Sequence, residues 1–476
     1  MRSSFKFLRA AWGALALLVL PACSDGPANS GTVEIIHWWT AGGEEEAIRA
    51  LLGVFTAQNP GVEVVDSSPI IGGSNAERAA VRNRMKMGLP PDTFQANGGW
   101  DLMAWVLYNQ INAGDSKMQV IDSWAQDWLP HVPAPVRESV SYFDPTPDTP
   151  NFGLHYYGVP LNIHRVNTLF YNKELFARIF EQTGTDPAAE LTSLEGLFRV
   201  GEMVKAYNQA NGAAIAPIAV GYGGGQTWTL GLLFFENVLV ARMGGKWYQD
   251  LFWEPKNTDP FSSDMTYALE DFRKVMSYAN GDAGRIIWDE AMGRVLTGAA
   301  AMTIMGDWGK GYANAAPGPE GQAAGYYADK IGLMPMPGTA DTFMFTTDTF
   351  GVPKGARHPE EAQKLLTVFG SVEGQKTFNR LKGSISARLD VEIDADDDRR
   401  PTYDAFEAAV RNERAFQATS ILAQGTYFDA ISAVLGTFAS KGADGSISEV
   451  QHALDNYADL IRDSCWPKCQ PKGGQP

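Results

Sequence analysis

Tryptophan is the residue type with the most to say about chemistry in this chain, which carries thirteen. Several stand among glycines and polar residues rather than in apolar stripes: Trp38-Trp39, Gly99-Trp100, Thr227-Trp228-Thr229, Trp247, Trp288 and Asp307-Trp308. A pyranose has apolar faces of C–H groups and a rim of hydroxyls. Flat indoles pack on the faces, while Asp, Glu, Asn, Gln, His and Lys satisfy the rim. Each single Trp has a competing reading as core. Trp39 and Trp228 escape it best, because they sit at strand ends or in turns with polar neighbours.

Enzyme signatures are missing from the sequence. There is no Gly-x-Ser-x-Gly elbow and no His-Glu-x-x-His. The six histidines are scattered, and His164, in Asn162-Ile163-His164-Arg165, reads either as structural or as ligand-touching. Gly223-Gly224-Gly225 lacks the Gly-Lys-Ser/Thr of a phosphate loop and reads as a plain turn. A glycosidase needs two carboxylates across the sugar bond, and no local motif nominates a pair among the 55 acids. A secreted carbohydrate-active enzyme is therefore the runner-up, beside a sugar-sensing receptor for signalling.

The elements that must position these residues follow from periodicity. Val33–Trp39 is β-branched and alternating, a strand. Glu44, Glu45 and Glu46 open a helix whose stripe is Ile48, Leu51, Leu52 and Phe55, stopped by Pro60-Gly61. Strand 62–65, helix 76–87 and strand 92–96 complete a β-α-β-α-β order, which implies a largely parallel sheet with helices on both faces. Ligands bind beyond the carboxyl ends of such strands, here the loops 38–44 and 95–100. Further on, 300–305 reads as a buried strand closed by Gly306-Asp307-Trp308-Gly309, and 349–353 as a strand and turn. Pro359 then begins a helix with Ala362, Leu365, Leu366 and Phe369 on one face.

Composition bounds the class. At 476 residues the chain exceeds what one core serves, so two lobes are expected. A formal net charge of −16 disfavours nucleic acid and anionic lipid, and suits a neutral ligand. Residues 1–22 join a basic start (Arg2, Lys6, Arg9) to an apolar run too short for a comfortable membrane span, and read as an export signal. Leu20-Pro21-Ala22-Cys23 resembles a lipobox, with Cys23 lipidated. The alternative is ordinary cleavage and a soluble periplasmic protein. Residues 23–31 read as a flexible tether. In the tail, residues 465–476, Cys465 and Cys469 read as an oxidised local clip. A metal site is discounted, because no His, Asp or Glu follows them.

Several segments together resemble the family 1 extracellular solute-binding proteins of ABC importers. They are Trp38-Trp39-Thr40 with Gly42-Gly43-Glu44 and Asn59–Val64; Gly158–Arg165 with Phe170–Lys173; Ala299–Trp308; and Phe350–Gly355 with Gly370–Gln375 and Leu381–Ile385. The likeness runs over residues 32–460 and is nearest to the glucose/mannose/galactose-binding branch, through Gly306-Asp307-Trp308 and Asn379–Arg388. It implies an α/β, two-lobed periplasmic-binding-protein-like fold of type II, with hinge-linked lobes and a ligand cleft between them. The implied N-terminal lobe is 32–162 with 306–350, and the C-terminal lobe 163–305 with 351–464. Trp38 and Trp39 are similar to the branch's stacking pair. Glu44, Gln95, Asp307 and Lys382 resemble its hydroxyl partners, and Trp228 the aromatic on the opposite lobe. Asn97 and Gln424 stand where the branch carries His, so their hydrogen-bonding reach differs, and another monosaccharide or a short glucoside enters beside glucose. The resemblance further implies ABC permease transmembrane subunits as partners, a monomer, no cofactor, and membrane contact only through the lipid anchor.

Overall fold

The computed structural model describes residues 31–463, apart from 70–72, 107–115, 145–152, 254–258, 317, 319–324 and 423–424. The expected export signal, Cys23, most of the expected tether, Gln424, Cys465 and Cys469 lie outside the described residues.

The first sheet has the strand order Val62–Asp66, Gly31–Ile36, Thr93–Asn97, Asp348–Gly351, Val159–Pro160. The first three run parallel, joined by helices Gly42–Gln58 and Gly73–Lys86, as the β-α-β-α-β pattern demands. Asp348–Gly351 is antiparallel to its neighbours on both sides. The opening strand stops at Ile36, three residues short of its expected end, so that His37, Trp38 and Trp39 leave the sheet at its carboxyl edge. Gly42 takes φ +55° in the turn into the helix, a left-handed value suited to glycine. Ile48, Leu51 and Phe55 then bury one helical face.

A second sheet has the order Ile331–Pro335, Thr168–Asn172, Ala300–Met305, Ala216–Ile218. Between the two lies a third: Ile385–Ser386, Asn162–Arg165, Phe343–Thr346, Ala415–Gln417. Two large apolar cores flank this third sheet. Strand Phe343–Thr346 belongs to both, because successive side chains of a strand point to opposite faces. Phe343 and Phe345 enter the first core and Met344 the second.

The lobe boundaries read from the sequence need correction. Strand Ile331–Pro335 pairs with Thr168–Asn172 in the second lobe, not the first. Helices Pro359–Gly370, Val372–Lys382 and Arg400–Arg411 belong to the first lobe, where Leu365, Phe369, Phe378 and Phe406 fill its core. The physical reason is that Val372–Lys382 packs along Gly42–Gln58, and Pro359–Gly370 against strand Gly31–Ile36. Among the described residues the first core draws on 33–163, 343–409 and Ile421, and the second on 166–336, Met344 and 416–454, while helix Trp308–Ala315 packs both on Gly42–Gln58 of the first lobe and on Trp288–Thr297 of the second.

Trp39 does not face the ligand cleft as expected. It is 0% exposed, packed against Phe378 at 4.7 Å and Phe350 at 5.6 Å between ring centroids. It is a core side chain, not a stacking surface. Trp39→Ala is therefore expected to cost about 3–5 kcal/mol of folding stability, read as a lower midpoint in urea unfolding; a wild-type midpoint would contradict this placement.

Glu413, at φ +55°, is the single non-glycine residue with positive φ among the described residues. It closes helix Arg400–Arg411, with Glu413 N–H donating to Val410 O and Arg414 N–H to Ala409 O. That is the Schellman bond pattern, with Glu where Gly is usual. Glu413→Gly should stabilise the protein by about 1 kcal/mol, measured by the same unfolding experiment, and a loss of stability would refute the strain.

Candidate ligand-binding cleft

The carboxyl edge of the first sheet faces the second lobe across a cavity of about 760 Å³, its open mouth included. The first lobe contributes Trp38, Glu44, Ser74, Arg78, Asn97, Asp348 and Lys382. From the second come Gln226, Trp228, Leu232, Trp288, Trp308 and Phe428. The floor is His164 and Thr346 on the hinge strands, with Ser420 bonded to Thr346 at 2.9 Å between hydroxyls.

A polar network beneath the floor holds these walls. His164 is buried, its Nδ1 bonded to Asp307 and its Nε2 3.3 Å from Asp348 Oδ2. Asn162 Nδ2 donates to Asp348 Oδ2 at 2.7 Å, and Asp307 Oδ2 accepts from the Arg165 backbone N–H at 3.0 Å. Asp348 Oδ1 accepts from Gln95 Nε2 at 2.9 Å, and Gln95 Oε1 in turn accepts from the Trp38 backbone N–H at 3.1 Å. Gln95 and Asp307 thus act one layer behind the cavity wall, positioning Trp38 and His164.

The aromatic surface is built from both lobes. Trp228 and Trp308 lie 6.4 Å apart at 51°, and Trp308 meets His164 edge-on at 5.2 Å. On the first lobe, Arg78 lays its guanidinium over Trp38 at 5.2 Å. Trp228 leads into a wide helical turn at Leu230–Phe235, which carries Leu232 into the cavity.

Both cations in the wall have a carboxylate partner. Lys382, 2% exposed, pairs with Glu44, and its ammonium sits between the indoles of Trp39 and Trp308 at 5.7 and 5.8 Å. Arg78 forks onto Asp101 through Nε and Nη2 at 2.8–3.1 Å, and Asp101 also accepts from the Asn97 backbone N–H. With both cations compensated, the cleft presents hydrogen-bonding groups and indole faces rather than a net-charged surface. Among the described residues no cluster of His, Cys, Asp and Glu is arranged to hold a metal ion.

Of the sequence-selected residues, Trp38, Glu44, Asn97, His164, Trp228 and Lys382 line the cavity. Trp288 and Trp308, picked out with the other aromatic loops, line it too, whereas Trp100 is buried and Trp247 packs on the second core. Arg78, Asp348 and Gln226 were missed. Arg78 and Asp348 sit inside a helix and a strand whose patterns signal only secondary structure, and Gln226 follows a glycine run that reads as a turn.

The network has a pH signature. Burial disfavours a charged imidazole at His164, and Lys382 opposes it too, but Asp307 and Asp348 outweigh both and hold its pKa above the usual histidine value. Burial likewise works against a charged Asp348, yet His164, Lys382 and Asn162 keep its carboxyl below the usual range. Glu236 accepts from Thr419 and Tyr248, and burial pushes its pKa up to about 7. The His164 contribution is complete below about pH 6.5 and is lost as pH rises through its raised folded value. The proton held on Glu236 stabilises the fold at low pH, and that contribution fades between about pH 4.5 and 7. The Asp348 contribution is lost only as pH falls below about 4. The melting temperature should therefore peak near pH 4–5 and decline toward pH 9, with His164→Gln flattening the alkaline limb. Calorimetry over that range checks it, and a melting temperature rising steadily to pH 9 would contradict it.

Comparison with known proteins agrees with this geometry. An uncharacterised ABC transporter extracellular-binding protein of Pyrococcus horikoshii is 34% identical over 425 residues, covering 86% of this chain and 85% of the relative. A probable sugar-binding periplasmic protein of Brucella suis is 28% identical, covering 82% and 83%. Among solved structures, maltose-bound MalE3 of T. maritima superposes with a TM-score of 0.67 at 17% identity, covering 91% of this chain and 99% of that one. The solute receptor AcbH, described as having an exclusive preference for β-D-galactopyranose, gives 0.66 at 16%, covering 90% and 99%. These two share the two-lobed fold. The sequence profile for bacterial extracellular solute-binding proteins matches residues 41–376, most of the first lobe and the whole of the second lobe's sheet. By its sequence, its paired lobes and the cleft between them, the chain belongs to the bacterial extracellular solute-binding protein family.

Proposed function

We propose that this protein is the substrate-binding component of an ABC sugar importer, taking a neutral sugar in the cleft and delivering it to the permease without chemical change. The observation that carries this reading is that Trp38 on one side and Trp228 and Trp308 on the other line one cavity, whose two cations each have a carboxylate partner. Indoles suit the C–H faces of a pyranose, and the compensated charges offer hydrogen bonds to hydroxyls without attracting an anion. The names of the relatives add support: probable sugar-binding periplasmic proteins, and a xylose/arabinose-binding protein of Haloferax volcanii.

The ligand is a monosaccharide such as glucose or a related sugar. Asn97 on the cavity wall offers a shorter amide where the glucose-binding branch carries His, which shifts the favoured hydroxyl pattern. A ligand that touches both lobes at once favours the closed state, and the closed form is what the permease subunits receive. Cys23 is the lipid anchor that keeps the receptor at the membrane, and the protein works as a monomer in the periplasm or cell envelope.

A thermal-shift screen against neutral monosaccharides, disaccharides and uronic acids tests the reading, because ligand bound only to the folded state raises the melting temperature. The expected result is a large shift with one neutral sugar, which chromatography then recovers unchanged. Trp38→Ala should weaken that binding about ten-fold or more while leaving the ligand-free melting temperature near wild type. Shifts confined to charged solutes, or turnover of the sugar, would overturn the proposal.

A further inference from the structure

The glycine run at 221–225 is too specific in shape for a plain turn. Gly224 and Gly225 take φ of +60° and +81°, values that other residues rarely adopt. A Cβ on Gly221 or Gly223 would run into the backbone of Ile287 or Arg285. The glycines thus let one side of the loop lie flat on residues 285–287 while its tip turns toward the first lobe. The Thr229 hydroxyl lies 2.9 Å from the Gly221 carbonyl and 3.1 Å from that of Gln226 and shares its one proton between them, which keeps both ends of the loop beside the turn that bears Trp228.

The tip reaches across the cleft mouth. Asn75 Nδ2, on helix Gly73–Lys86 of the first lobe, donates to Gly225 O at 2.9 Å. Beside it Gly73 faces Gln226, and a Cβ at Gly73 would lie 3.8 Å from Gln226 Nε2. The Gln226 side chain lines the cavity, and its carbonyl oxygen is buried with no hydrogen-bond partner among the described residues. A buried acceptor in that state is costly unless something donates to it.

We propose that residues 221–226 form a clasp with two functions: Gln226 accepts a hydrogen bond from a ligand hydroxyl, and the Asn75–Gly225 bond holds the lobes together across the mouth. The role of Gln226 rests on the sugar reading of the cleft, whereas the latch is a property of the protein alone.

The test has two arms. In the first, small-angle scattering compares the ligand-free full chain with Asn75→Ala, an exposed substitution that removes one donor. The variant should show a larger radius of gyration; an unchanged value overturns the latch. In the second, calorimetry with D-glucose, D-galactose, D-mannose, D-xylose and maltose ranks affinities for wild type and Gln226→Ala. Gln226→Ala should bind the best of these sugars about ten-fold more weakly, with the ligand-free radius and melting temperature of wild type. Of the monodeoxy analogues of that sugar, one should lose affinity in wild type but lose no more in Gln226→Ala, which marks the hydroxyl that Gln226 accepts. Wild-type affinity in Gln226→Ala overturns its role. If wild type binds none of the five, the sugar reading and the role of Gln226 fall together, and scattering alone decides the latch.

Discussion

The cleft depends on one buried histidine shared by two aspartates. His164 lies on the strand that carries the chain from the first lobe into the second, Asp307 at the end of a second-lobe strand, and Asp348 at the start of a first-lobe strand. Bringing three such segments together leaves ionisable groups out of water, and removing one partner would strand the others at a cost of several kcal/mol. From this point the geometry propagates in both directions. Asp307 opens the turn that presents Trp308, while Asp348 holds Gln95, which holds the backbone N–H of Trp38. The indoles of opposing walls are set by a single polar junction.

Much of this was legible in the sequence, and the failures have identifiable causes. The parallel sheet and its helices followed from apolar periodicity, because that periodicity is what their burial requires. The assignment of Trp38 and Trp39 to one stacking pair overlooked a signal that was present. With Val33–Trp39 read as one strand, neighbouring side chains point to opposite faces, so that reading already kept the two indoles off a common surface. The lobe boundaries were not legible in the same way. The stripe of Pro359–Gly370 shows that the helix buries a face, but not which lobe receives it. Arg78 and Asp348 were invisible because their roles come from partners at Asp101 and His164, and spacing along the chain does not encode such encounters. Glu413 occupies a cap position that sequence rules reserve for glycine, so the end of its helix carried no signal.

The hinge is a small sheet rather than a pair of linkers. Strand Phe343–Thr346 feeds Phe343 and Phe345 to one core and Met344 to the other, and Ala415–Gln417 beside it sends Phe416 to the second. Side chains locked into two close-packed bodies resist gradual deformation, so movement between the lobes concentrates in the backbone between these anchored residues. The same arrangement makes the cleft floor, formed by His164 and Thr346, a part of the hinge itself.

The interleaving of the two cores has a consequence for how the chain acquires its structure. The first core needs Phe369, Phe378 and Phe406, and the second needs Leu435, Phe438, Val450 and Leu454. Those residues lie far along the chain from the strands they pack on. The early strands, with Val33 and Ile35, have no complete partner surface while most of the chain is being made. Such long sequence separations slow folding and prolong the exposure of apolar segments. Neither core is complete until segments from the far part of the chain have joined it, so both lobes depend on contacts between residues widely separated in sequence.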